Sequence, residues 1–180
     1  MATSACHAPH DAPRIKNLAF QDLSGAKHNL FEPTRKGTVY FFIAHDCPVA
    51  NSYVPEMNRI AAKYRRSGMM FFAVYTEKEF GRDAALKHYK EFGFTFPAAL
   101  DNHRRLTRAL SATVTPEAAV VDRNGFLKYR GRIDDLYVAF GQRRHKPTTH
   151  DLRKVLDAIA SKKAVQYTST KSVGCFIPKD

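Results

Sequence analysis

Thr38-Val39-Tyr40-Phe41-Phe42-Ile43-Ala44 runs without a charge into His45-Asp46-Cys47-Pro48-Val49-Ala50, and this passage decides the fold. A continuous apolar run rich in β-formers belongs to a strand covered on both faces, as in a parallel sheet. From Pro48 the period changes: Val54, Met57, Ile60, Ala61 and Tyr64 recur at helical spacing, which predicts a helix over 48–67 ended by Gly68. Met69–Tyr75 is a second apolar run. Strand, helix and strand in this order form a parallel unit with a right-handed crossover.

Upstream, Leu18–Gln21 and Lys27–Leu30 flank the Ser24-Gly25 turn signal and predict a short hairpin. Downstream, Phe80, Ala84, Tyr89 and Phe92 mark one face of another helix. Pro97–Leu100 reads as a short strand and His103–Leu110 as a short helix. Ala118–Val121 and Phe126–Arg130 flank Arg123-Asn124-Gly125, an antiparallel hairpin signal. Leu152, Val155, Leu156 and Ile159 predict a closing helix, with Thr149 or Asp151 to cap it. The class is α/β, a central mixed β-sheet flanked by helices.

The expected organisation is an irregular leader over 1–14, one domain over 15–163, and a tail over 164–180 with enough β-formers to dock. Residues 133–150 are long for a structureless connection and make a candidate functional loop. In it Asp134, Asp135 and Tyr137 either border a reactive group and move protons or form a solvated turn. Arg143, Arg144 and His145 have the same two readings.

The 44% hydrophobic and 26% charged fractions are those of a globular chain, not a disordered one. No apolar run is long enough to span a bilayer, and Met1–Pro13 lacks the apolar core of a secretory signal, which is either missing or already removed. Against 17 acidic residues stand 29 basic ones, a net charge of +12. The basic clusters are spread along the chain without a nucleic-acid-binding signature, so they read as solvated faces that steer an acidic protein partner. Nucleic acid is not an expected partner. Three cysteines are too few for a disulfide scaffold. Cys6, beside His7 and His10, reads as an incidental exposed thiol, with a lipid-attachment remnant or a metal tract as its other readings.

Cys47 falls where the buried strand gives way to the helix. The first N–H groups of a helix lack internal partners and its dipole is positive there, so a thiolate is stabilised and the pKa is expected below that of a free thiol. Pro48 suits a first turn, where its missing N–H costs little. His45 is placed to hydrogen-bond the sulfur or lend it charge. The competing reading makes Cys47 a small core residue.

Phe41 through Ala50, followed by Pro55, resembles the active-site segment of the thioredoxin-like superfamily, nearest its redoxin (AhpC/TSA-type) and periplasmic thiol–disulfide oxidoreductase branches. In that family a first cysteine opens the helix, a second follows three residues on, and a kinking proline eight residues on. Here Cys47 and Pro55 match, and Ala50 stands where the second cysteine would be. Val114-Thr115-Pro116-Glu117, with Val120 to Asp122 and Asn124-Gly125 after it, resembles the segment that places a cis-proline against the reactive sulfur. The resemblance covers about residues 17–162 and implies a thioredoxin-like fold with an N-terminal hairpin and a docking C-terminal tail.

The same resemblance implies a thiol-dependent oxidoreductase, by thiol–disulfide exchange or peroxide reduction. Cys47 would be the nucleophile, His45 its helper, and Pro116 with Thr115 the backbone facing the substrate. Without a thiol at position 50, a mixed disulfide needs a distant resolving thiol, and Cys175 is the candidate. Its other reading is a packing residue that anchors the tail. Peroxiredoxins carry Thr or Ser three residues before the cysteine and Pro seven before. Ala44 and Tyr40 stand there, leaving Arg130 or Arg132 as the cation for a peroxide.

Two non-enzymatic alternatives remain. One is a copper carrier using His45, Cys47, Cys175 and His150, a sulfur–imidazole set suited to that metal. The other is an interaction domain with an incidental thiol. No organic cofactor is implied, since no phosphate-cradling glycine loop occurs. The implied partner is a protein thiol or disulfide, or a peroxide. An exported or periplasmic setting fits such chemistry better than the cytoplasm.

Overall fold

The computed structural model describes residues 12–179. Residues 1–11, with Cys6, His7 and His10, lie outside the described residues. Pro13 and Ile15 already hydrogen-bond the 125–127 turn at 2.9 and 2.7 Å. Two short strands, β1 (Ala19–Gln21) and β2 (Lys27–Asn29), form the expected antiparallel hairpin. Its turn is held by Asp22 Oδ1, which accepts from the Ser24 N–H at 2.8 Å.

β3 (Gly37–Ile43) is buried at all seven positions, as its unbroken apolar run requires. Its residues alternate between two cores. Val39, Phe41 and Ile43 face α1 (Pro48–Arg65), while Tyr40 and Phe42 face the layer that includes Leu30, Leu106 and Leu110. Gly68, at φ +85°, turns the chain out of α1 and into β4 (Met69–Tyr75), parallel to β3.

The next helix, α2 (Arg82–Glu91), differs from expectation in its buried face. Ala85 and His88 point inward, Ala84 is exposed, and Phe80 and Phe92 lie outside the helix. A histidine is tolerated inside because both ring nitrogens are paired, Nδ1 with the Tyr75 hydroxyl at 2.8 Å and Nε2 with Asn51 Oδ1 at 3.0 Å. Burial, and then the charge of His45, lowers its pKa.

Then come β5 (Ala98–Leu100), α3 (Arg105–Ala109), β6 (Val114–Thr115), β7 (Glu117–Asp122) and β8 (Leu127–Gly131). Residues 133–150 are not structureless. β9 (Tyr137–Ala139) and β10 (Gln142–Arg143) make a small hairpin, and Asp135 gathers the N–H groups of Thr148 and Thr149. α4 (Asp151–Ala160) starts after His150 without a side-chain cap. The two residues expected to cap it are committed elsewhere: Asp151 accepts from Arg132 Nε at 2.8 Å, and the Thr149 hydroxyl donates to Asp151.

The tail adds β11 (Thr168–Ser169) and β12 (Cys175–Phe176). The main sheet runs β11-β8-β7-β3-β4-β5, with parallel pairs at its ends and antiparallel pairs on both sides of β7. This is a thioredoxin-like mixed sheet flanked by helices. β12 stands apart from it and, among the described residues, pairs with β6 alone. Among the described residues no helix is long and apolar enough to cross a membrane.

Candidate active site around Cys47 and Cys175

Cys47 is the N-cap of α1, with extended backbone (φ −83°, ψ 107°) and Pro48 in the first turn. Its Sγ accepts from the Ala50 N–H at 3.5 Å, so a free helix-terminal donor is aimed at the sulfur. The thiol donates to the Thr115 carbonyl at 3.1 Å. Thr115 and Pro116 are joined by a cis peptide bond. Cys47 and Thr115, 68 positions apart in sequence, are thus brought together where α1 begins and β6 ends.

Cys47 is fully buried as part of the core that packs under α1, and its thiol is directed at the Thr115 carbonyl. Cys175, half-buried on β12, packs against the same cluster and lies opposite Thr115 in antiparallel register. Both cysteines therefore meet at Thr115, Cys47 through its thiol and Cys175 through strand pairing. Burial, then the hydrogen-bonding and charge of Cys47, pushes the Cys175 thiol up to about 12. Ala50, buried at the position of a local second thiol, leaves Cys175 as the nearby partner.

His45 does not serve the sulfur as expected. Its Nδ1 lies 2.8 Å from Glu77 Oε1, the same oxygen accepts its backbone N–H at 2.6 Å, and its ring stacks on Phe80 at 4.3 Å. A carboxylate is a better acceptor for this ring than a thiol. Asn51 Nδ2 donates to the His45 carbonyl at 2.8 Å and ties the loop before Cys47 to the His88–Tyr75 pair. Sequence reasoning missed Glu77, Asn51 and His88, because their partners are remote in the chain.

The copper set does not converge either. Among the described residues, the only three metal-binding side chains with ligand atoms within 4.8 Å of one another are His45, Asp46 and Glu77. That is an oxygen–imidazole set without sulfur, unlike the expected one. His150 is exposed at the start of α4. The arginines suggested for a peroxide are also engaged: Arg132 with Asp151 and Thr149, Arg130 with the Ser111 carbonyl. Asp134 accepts from the Tyr53 hydroxyl at 2.6 Å, and Tyr137 pairs with Ser52 at 2.9 Å. These contacts pin the 133–150 loop to α1. Asp134 is raised by burial, whereas hydrogen bonds from Thr148 and Thr149 hold Asp135 well below the usual carboxylate range.

Glu117, directly after Pro116, is a further residue the sequence reading passed over. It is 3% exposed, and its carboxylate accepts from the Thr113 N–H at 2.8 Å and from the Ser172 hydroxyl at 3.3 Å. It therefore grips both β6 and the tail. Burial raises its pKa.

Residues 10–130 match the AhpC/TSA family model, two-thirds of the chain and the whole strand–helix–strand unit around Cys47. The chain belongs to the AhpC/TSA family. The matched family segment ends before the tail that carries Cys175. The thiol–disulfide oxidoreductase ResA of Bacillus thuringiensis (strain Al Hakam) is 26% identical over 110 residues, 61% of this chain and 62% of that protein. The chain thus spans less than two-thirds of the length of the curated relatives it matches. An uncharacterized conserved protein from Geobacillus kaustophilus superposes with a TM-score of 0.79 at 25% identity, over 97% of this chain and 94% of the other. A putative thiol:disulfide interchange protein DsbE from Chlorobium tepidum superposes with a TM-score of 0.66 at 19% identity, over 85% of this chain and 99% of the other, a likeness of fold.

Proposed function

We propose that this protein is a thiol–disulfide oxidoreductase in which Cys47 attacks a disulfide of a protein partner and Cys175 resolves the product. The observation that carries the reading is the convergence of Cys47 and Cys175 on Thr115, one through the Thr115 carbonyl and the other through strand pairing, with the Ala50 N–H aimed at the Cys47 sulfur. The chemistry of the similar ResA proteins supports it.

The two sulfurs divide the work by environment. Cys175, pushed up to about 12, remains a thiol at neutral pH while Cys47 is reduced. Cys47, with a helix-terminal donor, is the first nucleophile. Once Cys47 is bound in a mixed disulfide, its charge and hydrogen bond no longer hold the Cys175 proton, and the second attack becomes easier. An oxidising, exported setting suits this chemistry.

Reduction of insulin disulfides by dithiothreitol tests the reading. The protein should accelerate it, Cys47→Ser should return the rate to background, and Cys175→Ser should accumulate a mixed disulfide on Cys47. A Cys47→Ser variant that works at the wild-type rate would refute the assignment.

A further inference from the structure

The tail is seated on the one strand edge that a partner would need. β12 pairs antiparallel with β6, Cys175 opposite Thr115 and Phe176 opposite Val114, and the Ile177 N–H donates to the Thr113 carbonyl at 2.9 Å. A Cβ on Gly174 would stand 2.0 Å from the Thr115 carbonyl oxygen, so only glycine lets the tail come this close. Ser172 is tied to Glu117, Ile177 is buried, and Arg104 donates to the Pro178 carbonyl. The Phe176 side chain, by contrast, is 86% exposed, and the residue is held through its backbone pairing with Val114.

Any extended chain that offers a sulfur to Cys47 while pairing with Thr113–Thr115 must lie where residues 174–177 lie. We propose that the tail is a built-in stand-in for the substrate, and that substrates are extended polypeptide segments with a small residue before the reacting cysteine. This rests on the oxidoreductase reading and specifies its partner. Strand addition supplies affinity through main-chain hydrogen bonds, which a peptide can reproduce and a small disulfide cannot. Two-residue pairing is a marginal structure by itself, so the tail can be displaced. The depression of about 450 Å³ beside Cys175 is walled on one side by Phe176, Ile177 and Pro178 of the tail and on the other by Asp46, Glu77 and Lys78, and the partner's flanking residues enter it once the tail has left.

The exchange then proceeds in turns on one edge. The tail leaves, and the partner strand pairs with β6. The Cys47 thiolate attacks one sulfur of the partner disulfide, the S–S bond breaks, and the released partner thiolate takes a proton from solvent. The tail returns, the Cys175 thiolate attacks Cys47 Sγ, and the partner departs with its second thiol after taking up another proton. The partner has gained two electrons and the protein holds a Cys47–Cys175 disulfide. A dithiol reductant restores it.

The test uses the full chain carrying Cys175→Ser, alone and with Gly174→Val, and as a second unseating change with Ile177→Asp. Two probes carry the same thiopyridyl leaving group: a peptide copying residues 172–178 and activated at its cysteine, and glutathione. Capture on Cys47 is followed by release of thiopyridone. Unseating the tail should speed capture of the peptide by about tenfold, equivalent to ~1.4 kcal/mol of lost docking, and a peptide with valine before its cysteine should react more slowly. Peptide and glutathione reacting at equal rates, unaffected by either substitution, would overturn the proposal while leaving the oxidoreductase reading intact. No capture of either probe would overturn both.

Discussion

Cys175 lies directly opposite Thr115 across an antiparallel strand pair, and the carbonyl of that same Thr115 accepts the Cys47 thiol at 3.1 Å. One residue therefore meets Cys47 through its carbonyl and Cys175 through strand pairing. The position of Cys175 is set by strand register, which shifts side chains only in whole-residue steps, and that of Cys47 by the start of α1.

Because Cys47 is one of the causes that raise the Cys175 thiol to about 12, its removal has a readable consequence. In Cys47→Ala the hydrogen bond and charge are gone while burial, the largest cause, persists. The Cys175 pKa should move down part of the way, and iodoacetamide should label it faster between pH 8 and 9 than in the reduced wild-type protein. Peptide mass spectrometry reads the two rates. Equal labelling would contradict the coupling.

Glu117 gives a pH dependence with a definite sign. Its folded pKa lies above the ordinary carboxylate value, so the folded state holds this proton more tightly than the unfolded chain. Its contribution is fully present below the unfolded pKa and is lost as pH rises through the folded one. Thermal melts across that range should show wild-type stability falling with pH, and Glu117→Gln should flatten the fall. A variant with an unchanged slope would contradict the assignment.

His45 is bound to Glu77, not to the sulfur. His45→Ala should keep insulin reduction within about an order of magnitude of wild type, far from the 10²–10⁴-fold of a lost acid–base group. A larger loss would place the ring in the chemistry.

The Tyr53–Asp134 hydrogen bond anchors the loop after β8 to the active-site helix. Tyr53→Phe leaves a buried carboxylate one donor short and should cost about 1–3 kcal/mol of stability, measured by urea unfolding. Insulin reduction should survive wherever the variant remains folded.

The β3–α1–β4 unit was legible because its signals are local: an apolar run, a helical period, and glycine at the end of the helix. Cys47 at the head of α1 followed from the same change of period, and the cis bond before Pro116 from resemblance. The seat of the tail was not legible. A two-residue strand has no periodicity, and the closeness of Gly174 to Thr115 exists only once both segments are in place. The inward face of α2 was missed because His88 counts as polar in sequence, yet it is satisfied by Tyr75 and Asn51 in the fold. His45 was assigned to its neighbour Cys47 because Glu77, 32 residues away, could not be seen to compete.

The most direct measurement is peptide mapping of the full chain under non-reducing conditions after equilibration in glutathione buffers of graded potential. A single Cys47–Cys175 linked species that forms and disappears reversibly with two-electron behaviour is the expected result. Glutathione held on Cys47 while Cys175 stays free, or a bond joining Cys175 to Cys6 instead, would contradict the pairing on which the mechanism stands.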